Sequence, residues 1–236
     1  MADVGDSIDA PTAHWRFGSD VPDHFDAHVR RSVPFYDEGH GLIAKLSDFF
    51  IGPDALVYEL GCSTGTLTRR LAERTRAEGV RFIAVDAEPA MVEVATERCR
   101  DCDNVEVCLG DIVEIDLEPA DLIVAYYTLQ FVRPRFRQTV FDKLYQALNW
   151  GGALLLFEKV RAPEARFQDA MTQLYADFKQ EQGYSDAEIL SKARSLKGVL
   201  EPFSSQGNLD LMRRAGFVDI MTVYKYICFE GFLAIK

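Results

Sequence analysis

The chain has 236 residues, 48% of them hydrophobic, and a formal charge of −11 at neutral pH. That length supports one domain with a modest appendage, and the acidic balance disfavours direct nucleic-acid binding. No apolar run nears the ~18–20 residues that span a bilayer. The opening "MADVGDSIDAPTAHW" lacks the basic and apolar regions of a secretory signal, and five cysteines suit a reduced compartment. A cytoplasmic location without membrane contact is expected.

Residues 1–13 read as a polar, mobile start. Residues 21–31 and 35–50 carry helical patterns, the second ending at Gly52-Pro53. Strand and helix patterns then alternate, which predicts a parallel sheet covered by helices. Apolar strands are expected at 55–60, 81–86, 104–109, 121–127 and 153–160. Between them, Leu67 and Leu71 mark one helix and Met91, Val94 and Ala95 another. Val140, Leu144 and Leu148 mark a third, with Gly151-Gly152 read as its stop signal.

After residue 160 two successive helices are expected. Phe167, Met171, Leu174 and Phe178 form an apolar stripe on the first; Ser185 and Glu188 have capping-box spacing at the start of the second. A helix over 206–215 and strands within 218–226 and 228–236 complete the sheet. The expected division is an N-terminal helical segment (1–50), a cofactor-binding core (51–160), a helical lid (161–205) and a C-terminal helix with two strands (206–236).

Gly61-Cys62-Ser63-Thr64-Gly65 reads as G-x-S-x-G, the form of a nucleophile elbow. A hydrolase of that order needs an acid and then a His downstream. All four histidines (His14, His24, His28 and His40) precede Ser63, so that reading fails. A nicotinamide site would prefer G-x-G-x-x-G, and the third glycine is missing. The remaining reading is an S-adenosylmethionine (SAM) loop. It needs an acid in the first strand (Glu59), a small-residue loop (Gly61, Cys62, Ser63, Gly65) and an acid ending the second strand (Asp86, followed by Ala87). A carboxylate at Asp86 can accept bonds from two ribose hydroxyls, and Asp111-Ile112 adds an acid after the third strand. Singly, the glycines read as packing residues and Asp86 as a helix cap; their order at successive strand ends favours the cofactor. Cys99-Arg100-Asp101-Cys102 lacks two further ligands at zinc spacing, so no metal is assigned.

The chain resembles the carboxy-S-adenosylmethionine synthases of tRNA wobble-uridine modification. The resemblance runs through Trp15-x-Phe17, "RRSVPFY" (30–36), "YELGCS" (58–63), "TLQF" (128–131), "LNWGGALLLFEK" (148–159), "DFK" (177–179), "GYSDAEI" (183–189) and "AGF" (215–217). It implies a class I methyltransferase fold, a seven-stranded, mostly parallel α/β sheet with helices on both faces and a helical lid. It also implies a homodimer, and a cofactor held by Tyr36, Gly61, Ser63, Asp86 and the Asp111-Ile112 pair. Two positions depart from the family pattern. An Asn before the aromatic preceding "TLQF" is replaced by Tyr126, followed by Tyr127. An Arg that holds the product's extra carboxylate is replaced by Ala193, with Arg194 beside it. One residue rotates a helical side chain by about 100°, so Arg194 is an uncertain substitute within the cofactor site.

The site has thus lost a cation and an amide and gained aromatic surface, to which Tyr175 adds a ring. Aromatic faces attract a sulfonium by about 0.5–2 kcal/mol each, so Tyr126, Tyr127 and Tyr175 are the expected catalytic residues. The leading expectation is that SAM is itself the small-molecule substrate and cyclises to azetidine-2-carboxylate, releasing methylthioadenosine. Methyl transfer to a small acceptor, carboxy-SAM synthesis from prephenate, and a non-catalytic SAM-binding partner role are the alternatives.

Overall fold

The computed structural model describes residues 21–236, together with residues 2–3, 9–10 and 13. His14, the Trp15-x-Phe17 motif and most of the polar start therefore lie outside the described residues. Two helices come first, α1 (Val21–Ser32) and α2 (Tyr36–Ser47). The alternating region follows as β1 (Leu56–Leu60), α3 (Thr66–Arg74), β2 (Arg81–Asp86), α4 (Pro89–Cys99), β3 (Val105–Leu109), β4 (Ala120–Tyr126), α5 (Pro134–Ala147) and β5 (Leu148–Lys159). Helices α6 (Ala165–Glu181) and α7 (Asp186–Ser195) precede α8 (Ser205–Ala215), β6 (Asp219–Tyr226) and β7 (Phe229–Ile235).

Seven strands form one sheet in the order β3-β2-β1-β4-β5-β7-β6. The first five are parallel, and β7 and β6 are antiparallel to their neighbours. Strand order reverses between β1 and β4, which opens a crevice beyond their C-terminal ends, where ligands of such sheets bind. The strands are apolar throughout because both faces are covered. Ile123 and Ala125 of β4 join Leu154 and Leu156 beneath α5 and α8, while Leu122, Val124 and Tyr126 join Leu155 and Phe157 against α2 and α3. This alternation sends Tyr126, Phe157 and then Lys159 to the same face of the sheet.

Two sequence expectations are corrected. Helix α5 ends at Ala147, and Gly151-Gly152 lies inside β5 rather than stopping the helix. Sheet pairing outweighs helical periodicity here. Leu148 pairs with Ala120, Asn149 Nδ2 donates to Asp121 at 2.8 Å, and the Gly151 amide donates to the Lys236 carbonyl at 2.9 Å. The stripe on α6 is only partly a core face: Met171 packs inward, while Phe167 and Leu174 are 55% and 53% exposed. The helix is turned so that Met171, Tyr175 and Lys179 line the interior cavity. The capping box at Ser185 and Glu188 does open α7.

Candidate active site

The C-terminal ends of β1, β2, β4 and β5 open into a cavity of about 970 Å³, roofed by α1, α6 and α7. One end is made by the glycine loop. Gly61 has φ +77°, and a Cβ there would run into the Thr128 side chain, so only glycine leaves the loop room beside β4. Ser63 also adopts a left-handed conformation, φ +53°, and its amide donates to Asp86 Oδ2 at 2.7 Å. Asp86 Oδ1 accepts from the Glu88 amide at 3.0 Å. Asp86 lines the cavity, and a carboxylate has acceptor capacity beyond these bonds that suits two ribose hydroxyls. The Ser63 hydroxyl points to the Met91 thioether at 3.8 Å, a contact that activates no nucleophile.

Glu59 lies behind the loop, buried, and accepts from the Thr68 hydroxyl. Burial pushes its carboxyl up to about 8, with the charge of Asp86 adding to the rise and the Thr68 bond opposing it. Helix α1 ties down the outer side of the loop: Thr64 Oγ1 donates to Asp26 at 2.7 Å, and Arg98 bridges to the same carboxylate at 2.8 Å. Cys62, Ala87, Asp111 and Ile112 line this end of the cavity, and Asp111 Oδ1 accepts from the Val113 amide at 2.8 Å.

The middle of the cavity is aromatic. The Tyr126 ring sits 5.0 Å from that of Tyr36, 4.6 Å from Tyr127 and 5.1 Å from Phe157. Its hydroxyl donates to the Tyr36 carbonyl at 2.7 Å, and a side chain at Gly39 would collide with it. Burial drives the phenols of Tyr36, Tyr126 and Tyr127 far above their usual range, so all three are neutral. Tyr127 holds φ +60°; backbone strain of this kind clusters at functional sites. Gln130 explains the "TLQF" stretch: it donates to the Tyr127 carbonyl at 3.1 Å and accepts from the Lys159 amide at 2.8 Å. Beneath it, Glu158 accepts from the Gln130 amide at 3.2 Å.

The third part is basic, and sequence reasoning missed it. The Lys159 ammonium lies 4.0 Å from the centre of the Tyr175 ring, and the Lys179 ammonium 4.9 Å from the same centre. The Tyr175 hydroxyl is fixed by the Ser32 carbonyl at 2.8 Å. Burial lowers both ammonium groups, Lys179 to about 7, with the charge of Lys159 contributing. Lys192 of α7 is also buried and lines the cavity. Lys159 and Lys179 stood within the family motifs, ending an apolar strand and in "DFK"; a lysine closing a strand that otherwise faces the core was the available signal.

Three expected placements need correction. Gly65 does not line the cavity; it caps α3, where a Cβ would press to 3.1 Å on Ala95. Arg194 is exposed and turned away from the cavity, while Ala193 lines it, as the helical rotation dictates. Tyr175 reaches the cavity, but its ring already carries protein cations, which would repel a sulfonium. One histidine set aside on sequence order does arrive: His28 of α1 lines the cavity, its Nδ1 3.2 Å from the Tyr184 hydroxyl. His40 packs against Tyr36 and Tyr126, and burial lowers its ring to about 4. Among the described residues no three His, Cys, Asp or Glu side chains gather as metal ligands, and no helix is long and apolar enough to cross a membrane.

Residues 57–152 match a family model described as a methyltransferase domain. The chain is 34% identical to a carboxy-S-adenosyl-L-methionine synthase of Staphylococcus epidermidis over 94% of this chain and 97% of that protein. It is 37% identical to one of Salmonella paratyphi C (94% and 91%) and 35% identical to one of Campylobacter jejuni (96% and 96%). Among solved structures, human N-acetylserotonin methyltransferase in complex with SAM aligns with TM-score 0.61 at 18% identity over 85% of this chain and 52% of that one. A candidate SAM-dependent methyltransferase of Methanococcus maripaludis aligns with TM-score 0.62 at 18% identity over 98% and 97%. The structural likenesses show the fold, that of class I methyltransferases. The sequence relatives show more: the chain belongs to the carboxy-S-adenosyl-L-methionine synthase family and is a SAM-dependent enzyme of the methyltransferase superfamily.

Proposed function

We propose that this family member acts on SAM itself and closes its methionine arm to azetidine-2-carboxylate. The reading is carried by one observation: where the family resemblance implies a carboxylate-holding arginine, α7 presents Ala193 to the cavity and Arg194 to solvent. A site without that arginine is poorly built to retain the carboxylated product. In its place the centre of the cavity is a wall of neutral rings from Tyr36, Tyr126 and Tyr127.

In the proposed step the neutral α-amine of SAM attacks the γ-carbon. The bond from that carbon to sulfur breaks, its electron pair stays on sulfur, and methylthioadenosine leaves. The α-ammonium must first lose its proton to solvent as SAM enters, which the adjacent sulfonium and the apolar surroundings favour. The rings contribute attraction for the sulfonium, about 0.5–2 kcal/mol each, and exclude water that would compete as nucleophile. Holding nitrogen and carbon in line supplies the larger part, up to ~7–11 kcal/mol in well-oriented cases.

A second reading, carboxy-SAM synthesis from prephenate, is favoured by Lys159 and Lys179, cations suited to carboxylates. Incubation of the purified protein with SAM alone, read by mass spectrometry, separates the two. Methylthioadenosine together with azetidine-2-carboxylate supports cyclisation; SAM that stays intact until prephenate is added, and is then carboxylated, refutes it. We include a homodimer in the proposal, because Phe167, Leu174 and Leu190 leave apolar surface on α6 and α7. A cytoplasmic setting fits the five free thiols.

A further inference from the structure

We propose that Lys159 and Lys179, beside the Tyr175 ring, form a carboxylate-binding subsite separate from the nucleoside end of the cavity. The two ends are set apart by the sheet. Asp86 closes β2 and Lys159 closes β5, three strands away in the order β2-β1-β4-β5. At roughly 4.8 Å per strand that is about 14 Å.

The lysines are poorly explained by folding alone. Lys179 is 7% exposed, and both line the cavity. Among the described residues no carboxylate pairs with either ammonium; the charge of Lys159 bears on Lys179, and the neighbouring Cys228 thiol is itself held toward its neutral form by burial. Burying two like charges without a counter-ion is costly, and buried charges are ordinarily paired. The Tyr175 ring, its hydroxyl anchored to the Ser32 carbonyl, compensates in part, since the two ammonium groups lie 4.0 and 4.9 Å from its centre. What the arrangement lacks is an anion. A carboxylate would restore the charge on Lys179, which burial and Lys159 otherwise weaken near neutrality.

The carboxylate has two possible sources, the amino-acid arm of the SAM skeleton or a separate carboxylic acid, and binding measurements distinguish them. Calorimetric titration of the wild type, Lys159→Met and Lys179→Met uses three probes that do not react: S-adenosylhomocysteine, methylthioadenosine, and phenylpyruvate added to the methylthioadenosine complex. Loss of tenfold or more in S-adenosylhomocysteine affinity, with methylthioadenosine unchanged, supports the subsite and assigns it to the amino-acid arm. Loss confined to phenylpyruvate supports it and assigns a separate acid. Unchanged affinity for all three, or an equal fall for methylthioadenosine, overturns it. No turnover is read, so failure here is separable from failure of the cyclisation reading.

Discussion

If Glu59 contacts the cofactor as proposed, SAM binding is expected to depend on pH in a way that distinguishes the sulfonium from a neutral analogue. Its carboxyl is buried against Thr68, lines the cavity, and is pushed up to about 8. At pH 7 about a tenth of it is therefore ionised, and recruiting the ionised form costs about 1.4 kcal/mol, a factor of ten. A sulfonium and ammonium beside it favour the carboxylate, so SAM binding releases this proton. Affinity for SAM should rise about ninefold from pH 6 to 7, about fivefold more from pH 7 to 8, and level off above that. S-adenosylhomocysteine lacks the sulfonium, and the comparison with Glu59→Gln removes the titration of each ligand's own amine. The assay is calorimetric titration of both ligands from pH 6 to 9, for the wild type and Glu59→Gln. The preference for SAM should climb more steeply with pH in the wild type than in the variant. A flat wild-type ratio, or an equal slope in Glu59→Gln, would refute the assignment of Glu59 as the group that senses the cation.

Other expectations follow from the same geometry. Glu158 is also raised by burial to about 8; because its folded value lies above its ordinary one, its contribution to stability is full below pH ~4.5 and lost as pH rises through 8. Glu158→Gln should therefore gain up to about 3 kcal/mol on wild type between pH 5 and 8 in urea unfolding, and parallel curves would contradict this. Gly61→Ala puts a methyl group into Thr128 at positive φ and should weaken SAM more than tenfold by calorimetry, whereas an unchanged affinity would show that the loop can shift. Tyr126→Asn combined with Ala193→Arg should move product from methylthioadenosine toward carboxylated SAM when prephenate is present; unchanged product identity would show that these positions do not select the reaction. Phe167→Glu with Leu174→Glu should give a monomer by light scattering if α6 covers a second copy, and a persisting dimer would place the interface elsewhere.

The sheet was legible because its signals are local. Apolar runs, a glycine loop at Gly61 and an acid at Asp86 stand at successive strand ends, and the βα order fixes where those ends meet. Leu148 was misread because its helical spacing to Val140 and Leu144 competes with a pairing to Ala120, 28 residues earlier, which no local pattern reveals. Phe167 and Leu174 were misread for the opposite reason. An apolar stripe normally marks the buried face, but α6 turns inward the face that carries Tyr175 and Lys179. Lys159 and Lys179 lie 20 positions apart in the sequence and meet only across one tyrosine ring. His28 was dismissed on chain order, a valid test for a hydrolase elbow but no guide to which helix roofs the cavity.

The cavity has a charge gradient that constrains how a zwitterionic substrate lies in it. Asp86 and Asp111 stand at the ends of β2 and β3, with the largely protonated Glu59 in β1 beside them, while Lys159, Lys179 and Lys192 come from β5, α6 and α7. Between them lie rings whose phenols stay neutral. In the proposed binding mode a nucleoside held by Asp86 would keep a sulfonium near the acidic side, and the lysines would draw its carboxylate toward the opposite wall. The methionine arm is then stretched or folded across Tyr126 and Tyr127 according to how far the carboxylate must reach. Chemistry at the γ-carbon depends on that conformation, because the amine attacks in line with sulfur only when the arm folds. Under the proposed cyclisation the residues that select the reaction would be those setting the distance between the two charged ends, and Tyr126, whose hydroxyl fills the space beside Gly39, is expected to be one of them.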